Sequence, residues 1–287
     1  GDAAKAKKQQ ERVLRRMFED GKITDQQRSE ALAVQLKYAP PKPKELTNAP
    51  HFVEVTMAEL EKKYGEETVK RSGYRVTTTL NLDWQKRAEQ IVADQTALNK
   101  SRGGRNAALV AIDPKTGEIR ALVGSADYND PTFGKVNMAI TPRQPGSSFK
   151  PIYTTEAINQ RLVVASTIFK DEPIDIGGYA PKNFDGKYRG DILLRSALAQ
   201  SLNIPMVKVM QKLGVPQSIE AAQRLGISTI KTADADKLGL SLALGAAEVK
   251  PLEMTAAYSA FANAGNYNEP TAIQSIRDKY GDTIYRH

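Results

Sequence analysis

The sequence predicts an α+β (mixed α/β) domain, with helices packed on an antiparallel sheet, over residues 104–287. Two β-like runs, 107–112 and 119–124, open this region on either side of a turn. A long helical middle section follows, and two short β-like runs, 271–277 and 283–285, come last. Strands and helices in this order are typical of helices that cover an antiparallel sheet.

Residues 1–38 are predicted to be helical and to lie outside this domain. Residues 7–18 are basic and have helical spacing. Thr24 followed by Gln27 is a capping-box pattern, which predicts a second helix that reaches about Lys37. A helical pair of this kind carries no chemistry of its own.

Residues 39–103 are predicted to be a linker region. Residues 39–44 are rich in proline, which favours an extended, polyproline-like chain. Thr56 with Glu59 is a second capping-box pattern, which predicts that a helix starts there.

A strand and a longer helix complete the linker region. Residues 74–80 alternate as a strand does, and Asn81 is predicted to cap the helix that follows. One face of that helix is mostly apolar, and we expect its tryptophan to pack against a core. The positions on this face are Trp84, Ala88, Ile91, Gln95 and Leu98.

Ser147 and Lys150 form the first motif with chemical potential. They follow a Pro-Gly pair and precede a predicted helix over 148–160, with Pro151 in its first turn. Ser147 is thus expected at a helix N-terminus, where free N–H groups favour developing negative charge. Lys150, three residues on, lies on the same helix face. It can accept the serine proton only if burial lowers its pKa from about 10.4.

Ser201 and Asn203 form the second motif, at an interruption between two predicted helices. Residues 192–200 have helical spacing, and Pro205 is predicted to start the next helix at its first position. Ile204 precedes that proline and is expected outside the helical region. In such a break, Ser201 is placed to relay a proton to a leaving amine, and Asn203 to hold a substrate amide.

A second Ser-x-x-Lys occurs at Ser228 and Lys231. It follows Gly226 and leads into a polar loop without a flanking helix constraint. We interpret this copy as a chance occurrence, since the motif is short.

The two motifs together resemble those of the class A penicillin-binding proteins, which are bifunctional peptidoglycan synthases. The similar stretches run from about residue 105 to 285 in the order ALVAIDPKTGEIRALVG, RQPGSSFKPI, ALAQSLNIPMVKV and AAYSAFANAGNYNEP. The resemblance implies that residues 1–38 are the end of a glycosyltransferase domain, 39–103 an interdomain linker and 104–287 a transpeptidase domain.

The resemblance also implies an activity and its residues. Ser147 would be the nucleophile of a DD-transpeptidase that acts on D-alanyl-D-alanine stem peptides, with Lys150 as base, Ser201 as proton relay and Asn203 as a substrate-binding residue. The expected partners are peptidoglycan stem peptides, lipid-linked precursors and β-lactam antibiotics. The expected location is the extracytoplasmic face of the bacterial membrane, anchored by a helix upstream of this chain.

One family motif is absent from the expected place. The family carries Lys-Thr-Gly or Lys-Ser-Gly on the central active-site strand of a five-stranded sheet, well after the Ser-x-Asn triplet, and no such tripeptide follows Asn203. Lys115-Thr116-Gly117 precedes the nucleophile and has the composition of a hairpin turn, so we reject it as the catalytic motif. The sequence is therefore expected to be a fragment that stops before this motif.

Two other functions remain open at this stage. A β-lactamase or DD-carboxypeptidase on the same scaffold would pass the acyl group to water. A β-lactam sensor would keep the serine without any wall chemistry. The segment before residue 104 favours a synthase, because a free-standing hydrolase needs no such segment.

Composition excludes several kinds of chemistry. There is no cysteine and there are only two histidines, His51 and His287, neither well placed for a Ser-His-Asp triad, so we expect no cofactor and no metal. The net charge is +8, with much of the excess near the N-terminus. No nucleic-acid-binding motif accompanies it, which favours a membrane-proximal or solvated helix over a nucleic-acid partner.

Overall fold

The computed structural model describes residues 3–34 and 48–287 of the chain. The chain divides into two compact units, 1–47 and 48–287. The proline-rich stretch 39–44 lies outside the described residues. The three-part division at residues 38 and 103 stays a prediction, while 48–287 forms one compact unit.

The first unit contains helices α1 (Ala3–Glu19) and α2 (Asp25–Ala33). The predicted capping box at the start of α2 is present: Thr24 Oγ1 accepts from the Gln27 N–H at 3.2 Å, and the Thr24 N–H donates to Gln27 Oε1 at 2.9 Å. The predicted extension of this helix to Lys37 lies outside the described residues.

The second unit combines helices with short strands. Its helices are α3 (Pro50–Tyr64), α4 (Glu66–Ser72), α5 (Leu82–Asn99), α6 (Lys150–Asn159), α7 (Leu194–Ala199), α8 (Asn203–Leu213), α9 (Val215–Arg224), α10 (Ala235–Leu238) and α11 (Pro251–Ala262). Its strands are β1 (Arg75–Thr78), β2 (Leu109–Ile112), β3 (Ile119–Val123), β4 (Ile168–Asp171), β5 (Gly190–Leu193), β6 (Ile273–Arg277) and β7 (Thr283–Arg286). Four 3₁₀ segments occur among the described residues, at Lys100–Arg102, Gly146–Phe149, Thr232–Asp234 and Gly239–Leu244.

The strands form small antiparallel sheets, which agrees with the predicted α+β class. β6 lies between β1 and β7, β2 pairs with β3, and β4 pairs with β5. Both predicted hairpins are present. Lys115, Thr116 and Gly117 lie in the turn between β2 and β3, where the Gly117 N–H donates to Asp113 O at 2.8 Å and Gly117 has φ +78°. The rejection of this tripeptide as a catalytic motif therefore agrees with its place in the fold.

The largest hydrophobic core surrounds helix α6. Phe149 and Tyr153 are fully buried there, together with Met206 and Met210 of α8 and Ile219 of α9. Because α6 is packed on several sides, the residues at its start have a rigid support.

Helix α3 starts earlier than the sequence predicted. It begins at Pro50 and not near Thr56, whose hydroxyl donates within the helix to Phe52 O at 2.9 Å. Glu59 does not close a capping box; its carboxylate accepts from Thr271 Oγ1 at 2.5 Å and from the Ala272 N–H at 2.8 Å. The prediction was wrong because a tertiary contact uses the carboxylate that the local pattern assigned to a cap.

Helix α5 begins after Asn81, whose Oδ1 accepts from the Trp84 N–H at 3.0 Å as predicted, but it buries a different face. Trp84 is 58% exposed, so the prediction that it packs against a core was wrong; of the positions on the predicted apolar face only Ala88 is buried, and Leu98 is 71% exposed. The buried face instead contains Gln85, whose amide pairs with both the N–H (2.9 Å) and the C=O (3.1 Å) of Leu122 on β3. A buried polar side chain is stable where it is fully hydrogen-bonded, and hydropathy spacing cannot anticipate this.

The described ranges 3–34 and 48–287 contain no helix with the length and hydropathy that a membrane span requires.

Candidate active site

Ser147 and Lys150 lie where a 3₁₀ turn passes into helix α6. The turn covers Gly146–Phe149, and the α-helix begins at Lys150 rather than at residue 148, with Pro151 in its first turn. Ser147 is exposed to solvent, whereas Lys150 is only 1% exposed. An accessible hydroxyl and a buried amine thus occupy the same short turn.

The amine of Lys150 is held by acceptors from the second motif. Nζ donates to Ser201 O at 2.7 Å, to Asn203 Oδ1 at 2.8 Å, and at 3.3 Å to both Ser201 Oγ and Leu202 O. None of these four hydrogen bonds reaches Ser147. Burial lowers the pKa of Lys150 from 10.5 to about 8, which meets the condition that the sequence left open.

Ser201 lies two residues after the end of helix α7 and has a strained backbone. Its φ is +54°, the left-handed conformation that usually needs glycine at this place. The Ser201 N–H donates to Leu198 O and the Leu202 N–H to Ala197 O, both at 2.9 Å, which is the Schellman pattern for a helix end. This turn presents the Ser201 carbonyl and hydroxyl to Lys150 Nζ.

The strain at Ser201 leads to a prediction about two substitutions that both remove the hydroxyl. Ser201→Gly is expected to be about 1 kcal/mol more stable than Ser201→Ala, because glycine adopts positive φ without steric cost. Both variants should lose the hydroxyl function to the same extent. Thermal unfolding and penicillin acylation rates, measured in parallel, test this, and equal unfolding free energies of the two variants would contradict it.

Helix α8 begins two residues earlier than predicted. Asn203 and Ile204 are its first two residues, so Pro205 is third rather than first, and Gln200, Ser201 and Leu202 lie between the helices. Proline is tolerated here because the first four N–H groups of a helix have no intrahelical partner. The segment before α7 also differs, since residues 190–193 form strand β5.

The side chain of Asn203 is engaged at both ends. Its Oδ1 accepts from Lys150 Nζ, and its Nδ2 donates to Lys182 O at 2.7 Å. The structure therefore brings Lys150, Ser201 and Asn203 together, with Ser147 one turn before the lysine. One N–H of the Asn203 amide remains for a further acceptor.

Gly245 supports the backbone before Ser147, and sequence reasoning missed it. It has φ +73°, and a Cβ placed on it would lie 2.2 Å from Gly146 O and 2.5 Å from Gly146 N. Tyr258 adds a second support, since its hydroxyl donates to Ser148 O at 2.7 Å. Only a residue without a side chain permits this backbone approach.

We expect Gly245→Ala to slow acylation of Ser147 by about a hundredfold, because the added methyl group displaces Gly146 and the serine after it. Gly239→Ala is the matched control. Gly239 also has positive φ, and it starts the 3₁₀ segment Gly239–Leu244 that Gly245 follows directly. A Cβ on Gly239 would meet nothing within 4 Å. Stopped-flow labelling with a fluorescent penicillin measures both rates. Equal rates in the two variants would contradict a specific role for the Gly245–Gly146 contact.

The second Ser-x-x-Lys copy has a different environment. Ser228 and Lys231 are both exposed. Ser228 Oγ donates to Glu253 Oε1 at 2.6 Å, and Lys231 Nζ donates to Ser228 O at 2.8 Å. The lysine is not buried, so nothing prepares it to act as a base.

His51 makes triad-like contacts, but in a closed environment. Nδ1 lies 3.1 Å from Glu54 Oε2, and Nε2 lies 3.0 Å from Ser125 Oγ. Ser125 and His51 are buried, and the serine hydroxyl donates to Gly134 O at 2.9 Å. A Cβ on neighbouring Gly124 would lie 2.7 Å from the His51 ring, so the backbone packs closely against this ring. His51 and Ser125 thus form a buried polar contact, with the partly exposed Glu54 at its edge, that ties α3 to the strand region.

No group of three or more histidine, aspartate or glutamate side chains among the described residues is arranged to hold a metal ion.

The chain is similar to a known family over most of this unit. The family model described as the penicillin binding protein transpeptidase domain matches residues 107–286. Penicillin-binding protein 2D of Bacillus subtilis (strain 168) is 35% identical over 292 residues, which cover 99% of this chain and 41% of that protein. Penicillin-binding protein 1A of Neisseria flavescens is 39% identical over 181 residues, or 61% of this chain and 22% of that protein. The chain thus spans less than half the length of these relatives.

Solved structures give the same result. The penicillin-binding protein PonA1 from Mycobacterium tuberculosis has a TM-score of 0.67 and 25% identity, over 82% of this chain and 62% of that one. The same protein has also been solved in complex with penicillin V. Penicillin-binding protein 1A from Haemophilus influenzae has a TM-score of 0.72 over all of this chain and 56% of that one; at 23% identity, it supports the fold alone.

Proposed function

Because this chain belongs to the penicillin-binding protein transpeptidase family, we propose that it forms peptide cross-links in peptidoglycan through an ester on Ser147. The observation that carries the proposal is Lys150, a buried amine one turn after an exposed serine and within hydrogen-bond distance of Ser201 and Asn203. A serine nucleophile with a lysine base needs this combination of access for the hydroxyl and burial for the amine.

The first half of the reaction acylates the enzyme. Ser147 Oγ attacks the carbonyl carbon of the penultimate D-alanine while its proton passes to Lys150 Nζ. Binding of the donor peptide excludes water and completes the contact between the two groups, since catalytic hydrogen bonds often tighten only in the substrate complex. The Ser147 N–H lies at the start of the 3₁₀ turn and donates to the oxyanion.

The tetrahedral intermediate then collapses. The bond between the carbonyl carbon and the nitrogen of the terminal D-alanine breaks, and Lys150 returns the proton to that nitrogen through Ser201 Oγ. Ser201 suits this relay because its hydroxyl lies 3.3 Å from Nζ. Asn203 keeps Oδ1 on Lys150 and offers its remaining N–H to the donor peptide.

The second half forms the cross-link. The amine of a neighbouring stem peptide attacks the carbonyl carbon of the ester and loses a proton to Lys150. The bond between that carbon and Ser147 Oγ then breaks, the new amide leaves, and Ser147 Oγ takes the proton from Lys150. A β-lactam follows the first half only: its amide bond opens on Ser147 and the ester persists. The activity is thus a serine-type acyl transfer that uses no cofactor.

The remaining predictions concern the whole protein. We propose that residues 1–38 end a glycosyltransferase domain and 39–103 join it to the transpeptidase domain. The parent protein would then also bind lipid-linked precursors and be anchored in the membrane by a segment upstream of this chain. Both activities would lie on the extracytoplasmic face of the bacterial membrane, with no nucleic-acid partner.

Labelled penicillin tests the proposal in the full-length protein. Trypsin should release one peptide from Gln144 to Arg161, since Lys150 precedes a proline, and fragmentation should place the label on Ser147. A label that turns over within seconds would indicate a β-lactamase. A stable label without cross-linking of lipid-linked muropeptide would indicate a sensor. A label on another side chain would reject the mechanism.

A further inference from the structure

Asn183 is a buried amide next to the candidate active site, in the loop between β4 and β5. It is 4% exposed. Its Oδ1 accepts from two backbone N–H groups, those of Asn203 at 2.8 Å and of Ile204 at 3.3 Å. These are the first two residues of helix α8. Asn183 therefore caps this helix from a position twenty residues upstream.

The helix needs such a partner because its own cap position cannot provide one. The N-cap residue is Leu202, which has no polar side chain and makes no capping hydrogen bond. N–H groups at a helix start must find acceptors outside the helix when they are removed from water. The Asn183 oxygen satisfies two of them.

The orientation of the Asn183 amide is fixed by a buried carboxylate. Its Nδ2 donates to both oxygens of Asp171, at 2.8 and 2.9 Å, and to Lys187 O at 2.8 Å. Asp171 is 0% exposed and also accepts from the Arg189 N–H at 2.9 Å. If the Asn183 amide were rotated by 180°, its oxygen would face the Asp171 carboxylate, and two acceptors would then meet. The Asn183 oxygen must therefore face α8.

The same loop holds the side chain of Asn203. Lys182, adjacent to Asn183, accepts from Asn203 Nδ2 through its carbonyl oxygen, while Asn203 Oδ1 accepts from Lys150 Nζ. The backbone and the amide of Asn203 are thus both fixed from residues 182 and 183. A short chain of contacts leads from Asp171 through Asn183 and Asn203 to the catalytic amine.

We propose that Asn183, oriented by Asp171, is a positioning residue for acylation, which sets Asn203 and through it Lys150. This inference rests on the proposed function, since it assigns Lys150 the role of base. The alternative is that the network only stabilises the loop between β4 and β5. A positioning role predicts that loss of Asn183 changes the acylation rate more than the loss of folding stability explains. A purely stabilising role predicts no such additional change.

The test compares Asn183→Ala with Asn137→Ala in the full-length protein. Asn137 is also a buried asparagine, 7% exposed, and its amide contacts His51 O and the Ala139 N–H rather than the active site. We expect both variants to lose thermal stability. Only Asn183→Ala should lower the acylation rate constant for labelled penicillin, by about ten- to a hundredfold.

A pH profile separates positioning from stability. In Asn183→Ala, we expect Asn203 Oδ1 to move away from the Lys150 ammonium. Loss of this acceptor destabilises the charged form and lowers the pKa of Lys150. The acid limb of the acylation profile should therefore move to lower pH. Asn137→Ala should leave that limb in place. An unchanged rate and profile in folded Asn183→Ala would overturn the proposal, and so would equal rate losses in both variants.

A charge swap provides an independent test. Asn183→Asp alone places two carboxylates together in a buried site and should be slow. Adding Asp171→Asn restores a donor to face the new carboxylate and keeps an acceptor for α8, so the rate should recover in part; the Lys187 carbonyl oxygen still loses its donor. A folded double variant that is no faster than Asn183→Asp would overturn the proposal. Failure of the unsubstituted protein to form any adduct on Ser147 would instead reject the proposed function.

Discussion

Replacing Ser147 with alanine is expected to abolish the penicillin adduct and the cross-linking activity together. The loss should approach about 10⁶-fold, the scale observed when a serine protease loses its nucleophile. Stability should hardly change, because the Ser147 side chain is exposed and makes no hydrogen bond through its oxygen among the described residues. Labelling with fluorescent penicillin, together with thermal unfolding, measures both quantities.

Ser148 supplies a matched control for that result. It is the next residue, it is also exposed, and its hydroxyl donates to Pro145 O at 2.7 Å. Ser148→Ala should keep the label within a few-fold of the unsubstituted rate. Ser228→Ala should behave in the same way, since the second Ser-x-x-Lys copy lacks a buried lysine. If a control variant lost the label while Ser147→Ala kept it, the nucleophile would be the control serine and not Ser147.

Much of the local geometry of the candidate site was predictable because its signals are local. The spacing of Ser147 and Lys150, the proline in the first turn of α6 and the turn at residues 113–118 all depend on neighbours a few residues apart. Of the two predicted capping boxes, the one that depends on local partners is present and the other is not. Thr24 caps α2 with a partner three residues on, whereas Glu59 is taken by the backbone of Ala272, more than two hundred residues away.

Three of the errors, at α3, α5 and α8, share one physical cause, which is a polar side chain satisfied by a distant backbone. Gln85 is buried because Leu122 pairs with both ends of its amide. Helix α8 starts at Asn203 rather than Pro205 because Asn183 accepts its first N–H groups. Patterns of hydropathy and capping describe one segment at a time, so they assign these polar residues to solvent or to a local cap. The same limitation hid Gly245, whose role appears only against Gly146.

Lys150→Met should slow acylation of Ser147 by about 10²–10⁴-fold, the usual contribution of a general base. Methionine keeps an unbranched apolar stem in a site that is 1% exposed, so it disturbs packing less than alanine would. Lys208→Met is the control, because Lys208 Nζ also donates to a backbone carbonyl, that of Lys170, at 2.6 Å. Only the substitution at residue 150 should change the rate; equal losses would point to a general effect of removing a lysine.

If Lys150 is the general base, the rate of acylation should increase with pH. A protonated lysine cannot accept the serine proton, and with a pKa of about 8 the neutral amine is about a tenth of the total at pH 7 and half at pH 8. Acylation should therefore rise about tenfold from pH 6 to 7 and level off above about 9. Lys150→Met should lose this rise, and a rise that persists in that variant would assign the titration to another group.

Folding stability should change with pH in the same direction, for a separate reason. The pKa of Lys150 is lowered from 10.5 to about 8 by burial, so between these values the unfolded chain binds more protons than the folded one. The free energy of unfolding therefore increases with pH across that window, as the cost of a buried charge is relieved. Denaturant unfolding at several pH values should show this increase in the unsubstituted protein and not in Lys150→Met. The acylation rate should level off near the pH at which the free energy of unfolding begins to increase. If Lys150→Met abolishes both pH dependences, Lys150 is the group that causes them.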